Sequence, residues 1–397
     1  MRVLQRRETE SDFVENIFER ELADARISPV DRALCQELVY GICRWQETLD
    51  WLIARKTEGR EQKPDLEILL RLGLYQTFWL DRIPNHAAVH ETVELAKKMG
   101  FVAQSGFINA ILRGYTRERE QTEKLLSELQ EKEPAIGFSH PYWLYQKWLA
   151  RWGAEKTAAL MTWNNTPPKT FVRINGVKTN YGSLKQLWEI ESVKYTAHSF
   201  DWVEKNLVFE VGRAAPRAES PVGRVAPRAP GMEPANDGAH GVTRPTFEGD
   251  VVVEASRPAF DFAKMKSFQK GFFYVQDPST LLAVRELNPQ PGETILDLCS
   301  APGGKTTYIA QLMQNRGKIF AQDNDAERLG LVRENYLRLG ITCIETSLAP
   351  QQIIEKPSLK FDRILIDAPC SNTGVMRRRI DLRWRVQPEE IQRLRET

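Results

Sequence analysis

The sequence predicts a multidomain protein: an all-α bundle, then a small α+β subdomain, then an α/β domain with a doubly wound parallel sheet. Three observations carry this. Apolar residues recur at three- and four-residue steps through residues 8–120, the spacing of one helix face. Thr170–Asn175 (Thr-Phe-Val-Arg-Ile-Asn) alternates like a half-buried strand. Residues 271–397 then alternate short apolar runs with helical stretches, which implies parallel strands joined by crossover helices.

In the first region (1–120), Leu34, Leu38, Ile42 and Trp45 form one stripe, and Leu69, Leu72 and Phe78 form another. Ser28-Pro29 sets a capping hydroxyl before a proline at the first helical position. Pro84-Asn85 marks a break before a helix from Ala87 to Met99. The second region (121–270) begins with a charged connector over 121–139, and Ser139–Trp143 opens a helix. Leu207–Val211 and Asp250–Glu254 read as strands beside Thr170–Asn175. Between them, residues 211–245 hold six prolines, five glycines and seven alanines, and Val211–Ala218 is nearly repeated as Val222–Ala229. Two Pro/Gly-rich copies with so few apolar residues cannot stack as a solenoid, so this stretch reads as a disordered insertion. In the third region (271–397), strands are expected near Thr294–Leu298, Lys318–Gln322, Thr342–Glu345 and Arg363–Asp367, with helices over 305–315, 325–339 and 388–396.

The hydrophobic fraction of 42% and charged fraction of 27% describe a soluble chain with ample core material. The N-terminus lacks an apolar signal-peptide core, and no apolar run approaches the roughly 18–20 residues that span a bilayer. A cytoplasmic protein without membrane partners is expected. Five cysteines with no Cys-x-x-Cys pair exclude a disulfide framework and a structural zinc site, and no metal is expected. The net charge of +2 means that any nucleic-acid surface is local.

The chemistry concentrates in two segments. Ile295–Leu298 is a buried-strand pattern that ends in Cys299-Ser300-Ala301-Pro302-Gly303-Gly304 before a helix near Lys305. Ligands in open α/β sheets bind beyond the C-terminal ends of strands, where glycines let the backbone approach and helix amides meet acceptors. A phosphate-binding P-loop is excluded: Gly304-Lys305-Thr306 fits its end, but Cys299 stands where its first glycine belongs. Asp323 ends the next strand, placed to accept the ribose hydroxyls of an adenosine cofactor; a helix-capping role is the alternative, although Asp325 suits the cap better. Asp367-Ala368-Pro369-Cys370 ends a later strand and sets an acid and a thiol at the mouth of one cleft. That pair suits cytosine chemistry, in which a thiolate adds to carbon 6 so that carbon 5 can accept a methyl group. Arg377, Arg378, Arg379 and Arg383, with Trp384, follow directly and offer phosphate contacts and a stacking face for RNA.

Asp297–Thr306, Asp367–Cys370 and Gly271–Thr280 together resemble the Sun/Fmu family of bacterial 16S rRNA cytosine-C5 methyltransferases. Asp31–Arg44, Leu70–Leu80 and Phe107–Arg113 resemble the NusB-like RNA-binding domain that distinguishes this group. The resemblance covers nearly the whole chain outside 211–245. It implies a Rossmann-like catalytic domain, S-adenosylmethionine as methyl donor, and a monomer acting on 16S rRNA or an early small-subunit particle, at position 967 of that RNA. It further implies that Cys299–Lys305 and Asp323 hold the cofactor, that Asp367 faces cofactor and base, and that Cys370 assists product release.

Two departures follow from the same resemblance. The family's acid after the third strand has no evident counterpart, since Glu345-Thr346-Ser347 stands there. Its nucleophilic cysteine belongs to a Thr-Cys motif beyond the helix near Pro388, and none occurs in residues 371–397. The chain therefore reads as a C-terminally truncated, inactive methyltransferase whose Asp367 strand is left as an exposed apolar edge. Two alternatives stay open: an active enzyme with Cys370 as nucleophile, and a non-catalytic rRNA-binding or assembly protein.

Overall fold

The computed structural model describes residues 1–191, 193, 195–199, 207–210, 252–255, 262–349 and 360–396. The insertion expected at 211–245 lies outside the described residues. The chain divides into two compact units, the first holding 1–168 and 371–397 and the second holding the described residues from Lys169 to Cys370.

The first unit is helical: α1 (Arg2–Thr9), α2 (Val14–Leu22), α3 (Pro29–Arg44), α4 (Gln46–Thr57), α5 (Pro64–Trp79), α6 (Asn85–Lys98), α7 (Ser105–Arg117), α8 (Arg119–Lys132), α9 (Pro134–Gly137) and α10 (Tyr142–Asn165). The Ser28 hydroxyl accepts from the Asp31 amide at 3.1 Å, the cap that Ser28-Pro29 predicts. α5 is the centre of the bundle, with Leu69, Leu70, Leu74 and Phe78 fully buried. Arg71 on the same helix forks onto Asp50 at 2.6 and 3.0 Å. Residues 121–139, expected as a connector, are instead largely helical. Thr122, Leu126 and Leu129 fall at four- and three-residue steps and are buried, so the charges lie on the outer face of α8.

The segment after Cys370 completes this unit. Ile380 joins the bundle core, while Met376, Leu382 and Val386 pack with Leu144, Trp148 and Met161. Two short helices, α16 (Leu382–Arg385) and α17 (Pro388–Glu396), end the chain. Asp381 is fully buried, accepting from the Val14 amide at 3.0 Å and from Arg385 at 2.7 Å.

The second unit carries two sheets. β1 (Thr170–Ile174), β2 (Thr196–Ser199), β3 (Leu207–Glu210), β4 (Val252–Ala255) and β5 (Phe273–Val275) form a sheet of order β2-β3-β4-β1-β5. Helix α11 (Tyr181–Ile190) buries Leu184 and Trp188 in a core with Val172, Ile174 and Phe273. The short α12 (Lys266–Gln269) leads to Gly271, whose φ of +71° suits glycine; a Cβ there would lie 1.9 Å from the Arg338 carbonyl oxygen.

After α13 (Ser279–Leu287), β6 (Thr294–Leu298), β7 (Lys318–Asp323), β8 (Ile344–Leu348) and β9 (Arg363–Ile366) form an all-parallel sheet of order β8-β7-β6-β9. Its crossovers include α14 (Gly304–Leu312) and α15 (Ala326–Leu339). This is the doubly wound arrangement expected. Among the described residues β9 pairs only with β6, and Ile364 and Ile366 are 50% and 65% exposed. Two buried polar residues on and beside β1 tie the first sheet to the crossover helices α14 and α15 of the second. Arg173 donates to the Thr307 hydroxyl at 2.9 Å, and Asn175 donates to the Gly271 and Leu339 carbonyls, both at 2.8 Å.

Candidate active site

β6 is the inner strand between β7 and β9, so the turn that follows it opens at the sheet's C-terminal edge. The turn is held from below and behind. The Ser300 amide donates to the Gln322 carbonyl at 2.8 Å, the Ala301 amide to Asp323 Oδ2 at 3.1 Å, and the Gly303 amide to the Ser300 carbonyl at 2.8 Å. Arg328 and Asn335 on α15 reach the Ala301 and Pro302 carbonyls at 3.2 and 3.1 Å. Gly303 enters α14 with φ +96°, a conformation costly for any residue with a Cβ.

A cavity of about 230 Å³ lies over this turn, lined by Asp297, Cys299, Ser300, Ala301, Pro302, Gly304, Lys305 and Asp367, and by Tyr274, Gln276 and Asp277 from the β5 side. Seven of the sequence-designated residues therefore meet around one space. Lys305 and Asp367, from the ends of different elements, form an ion pair at its rim. Gly303 shapes the turn without lining the cavity.

Asp297 is the group that sequence reading passed over. It is 1% exposed; Oδ2 accepts from the Thr306 hydroxyl at 2.6 Å, while Oδ1 has no hydrogen-bond partner. Burial pushes its carboxyl up to about 7, opposed by Thr306 and Lys305 and reinforced by Asp367 and Asp323. A buried, half-satisfied carboxyl in a cavity wall is a place for a cationic donor to bind. Burial, and then Asp323, Asp367 and Asp297, raise the Cys299 thiol, so Cys299 is an unpromising thiolate.

Asp323 ends β7 at 2% exposure, with Oδ2 on the Ala301 amide and Arg328 3.5 Å from Oδ1. It supports the turn and does not line the cavity in this structure. Asp325 is the cap of α15, accepting from the Glu327 and Arg328 amides at 2.9 and 3.1 Å. β8 begins later than expected, so Glu345-Thr346-Ser347 lies within the strand, and Glu345 pairs with Lys318 at 2.7 Å. Cys370 is exposed in the loop after β9 and does not line the cavity.

The arginine cluster requires a correction. Arg383 is fully buried and donates to the Arg44, Ser139 and Asn164 carbonyls and to Asn165 Oδ1 at 2.8–3.3 Å. Four internal acceptors occupy it, so it cannot contact RNA. Trp384 likewise gives its indole N–H to the Cys43 carbonyl at 2.7 Å. Arg379 is exposed, and Arg377 and Arg378 are half-buried.

Comparison with known proteins adds independent findings. The family described as 16S rRNA methyltransferase RsmB/F matches residues 284–397, the NusB family residues 1–117, and the ferredoxin-like domain of RsmF/B-like methyltransferases residues 140–209. A probable ribosomal RNA small subunit methyltransferase B of Synechocystis sp. is 34% identical, over 98% of this chain and 77% of that protein. The Bacillus subtilis protein described in the same words is 31% identical over 93% of this chain and 72% of its own length. Ribosomal RNA small subunit methyltransferase B of Klebsiella pneumoniae is 33% identical, over 93% of this chain and 73% of its own length. The crystal structure of PH0851 shares the fold, with a TM-score of 0.62 and 20% identity over 99% of this chain and 78% of that one.

Proposed function

We propose, for a chain that belongs to the ribosomal RNA small subunit methyltransferase B family, that it contributes to methyl transfer onto carbon 5 of a cytosine in 16S rRNA. S-adenosylmethionine is the cofactor of this family, and the residues present fit it. The observation that carries the assignment is Asp297, whose buried Oδ1 lacks a partner in the wall of a cavity floored by the glycine turn. S-adenosylmethionine brings an ammonium and a sulfonium to such a site, and the sulfonium supplies an electrophilic methyl group.

The chain's own residues have distinct tasks in this reading. Asp297 accepts a cationic donor from the cofactor. Ser300–Gly304 form the floor against which the ligand lies, and Asp323 keeps that floor in shape through the Ala301 amide. Lys305 holds Asp367 at the rim, where an acid can meet the amidine edge of a cytosine. Cys370, in the loop after the same strand and outside the cavity lining, is assigned proton removal from carbon 5 by the family resemblance alone. No Thr-Cys pair occurs in residues 371–397, so residues 1–397 are expected to bind cofactor without turnover. The RNA partner is 16S rRNA or an early small-subunit particle, met by a monomer in the cytoplasm.

Calorimetry of S-adenosylmethionine with the 397-residue chain, followed by incubation with unmethylated 16S rRNA, tests this. Saturable binding without 5-methylcytidine is the expected result. Absence of binding would overturn the cofactor assignment and favour a purely RNA-binding protein. Methylation, with a 5-fluorocytidine RNA adduct that Cys370→Ser abolishes, would make Cys370 the nucleophile.

A further inference from the structure

Trp163 stands at the end of α10 and is 57% exposed, although the next two residues, Asn164 and Asn165, are 2% and 9% exposed. The Arg377 guanidinium lies over its ring, 3.9 Å from the centroid. Arg377 is itself fixed, donating Nε to the Thr166 carbonyl at 3.2 Å and Nη2 to the Pro167 carbonyl at 2.8 Å. The indole is thus a rigid plate with a planar cation behind one face and most of its surface in water. Tryptophan ordinarily buries its area in a core or an interface. Here the backbone on its C-terminal side is anchored, so binding at the plate costs little ordering.

The surroundings select the partner. Arg378 and Arg379 follow Arg377 with no acid before Asp381. Arg379 is exposed and rests over the Phe13 ring at 4.8 Å. A flat π-face backed by Arg377, with the exposed Arg379 two residues further along the chain and shared with Glu15, matches an unpaired base and a phosphate. A base in a duplex hides its faces within the stack and cannot use such a plate. We infer that Trp163, backed by Arg377, is a stacking platform for an unpaired nucleobase of the RNA, with Arg379 at a flanking phosphate. The stacking role that the sequence offered to Trp384 thereby falls to Trp163. This rests on the RNA-substrate reading above and adds a residue to it.

The test is equilibrium binding of the full chain to a fluorescent single-stranded segment of 16S rRNA and to the same segment annealed to its complement, across a salt series. Loss of base–aromatic stacking is worth about 5- to 150-fold per base. Trp163→Ala and Trp163→Leu are expected to weaken single-strand binding by about tenfold, with Trp163→Phe close to wild type. Duplex binding and the salt slope should stay unchanged in all three. Arg379→Ala should instead reduce the salt slope by about 1. The thermal transition and far-UV circular dichroism of the helical first unit certify that each variant is folded, and the Leu variant preserves bulk where the Ala variant fails that check. Wild-type affinity in the folded Leu variant would overturn the platform while leaving the rRNA reading intact. Absence of RNA binding by the wild type would overturn the rRNA reading, and the platform with it.

Discussion

Asp297, the residue proposed to meet the cofactor, also carries a stability cost. Its folded pKa is raised to about 7, whereas an unfolded aspartate titrates at about 3.9. Between about pH 4 and 7 the folded chain therefore holds a proton that the unfolded chain has lost. The stability this contributes is present at low pH and disappears as pH rises towards 7. Asp297→Asn, which keeps an acceptor for Thr306, should gain on the wild type in thermal stability across that window while binding S-adenosylmethionine more weakly. A difference in melting temperature that is flat with pH would refute the assignment of the shift to this carboxyl. Sequence reading reached the residues on either side of Asp297 and missed its role, because a strand acid flanked by Leu296 and Leu298 carries no local sign of an unsatisfied oxygen. The opposite error occurred at Arg383. A basic run looks the same whether its arginines face solvent or serve interior carbonyls, and only the tertiary partners decide.

Among the elements, those with strong periodicity were legible. The β6–turn–α14 unit and the α15 cap stand where apolar runs, glycines and Asp325 put them. β8 was displaced because the Ile341–Ile344 run satisfies a strand pattern before the ladder with β7 begins, and α8 was hidden by its charged outer face. β9 was legible as a strand, and its position gives it a liability. Half-exposed isoleucines on a strand that, among the described residues, is paired on one side form a template for another strand. Ile366→Lys should reduce self-association of the chain, measured by light scattering as a function of concentration, with cofactor affinity unchanged. Undiminished association would show that the β9 face takes no part in it.

At the scale of the whole molecule, the cavity over the β6 turn is lined entirely by the second unit, and the latch formed by residues 376–386 belongs to the first. Trp384→Ala removes a large ring and leaves the Cys43 carbonyl without its donor. It should cost roughly 1–3 kcal/mol of stability in the first unit, read as an earlier thermal transition, while S-adenosylmethionine affinity stays at the wild-type value. A fall in that affinity would mean that the latch also shapes the cavity. The latch has a consequence for the order of events during synthesis. The Val14 amide meets Asp381 across 367 positions of sequence, so the helices made first are left with an unfilled seat while everything between is translated. At about 5–20 residues per second, that wait lasts roughly 20 to 70 s, during which the nascent bundle offers the Val14 amide and the Cys43 and Arg44 carbonyls to whatever else the ribosome exit site brings near.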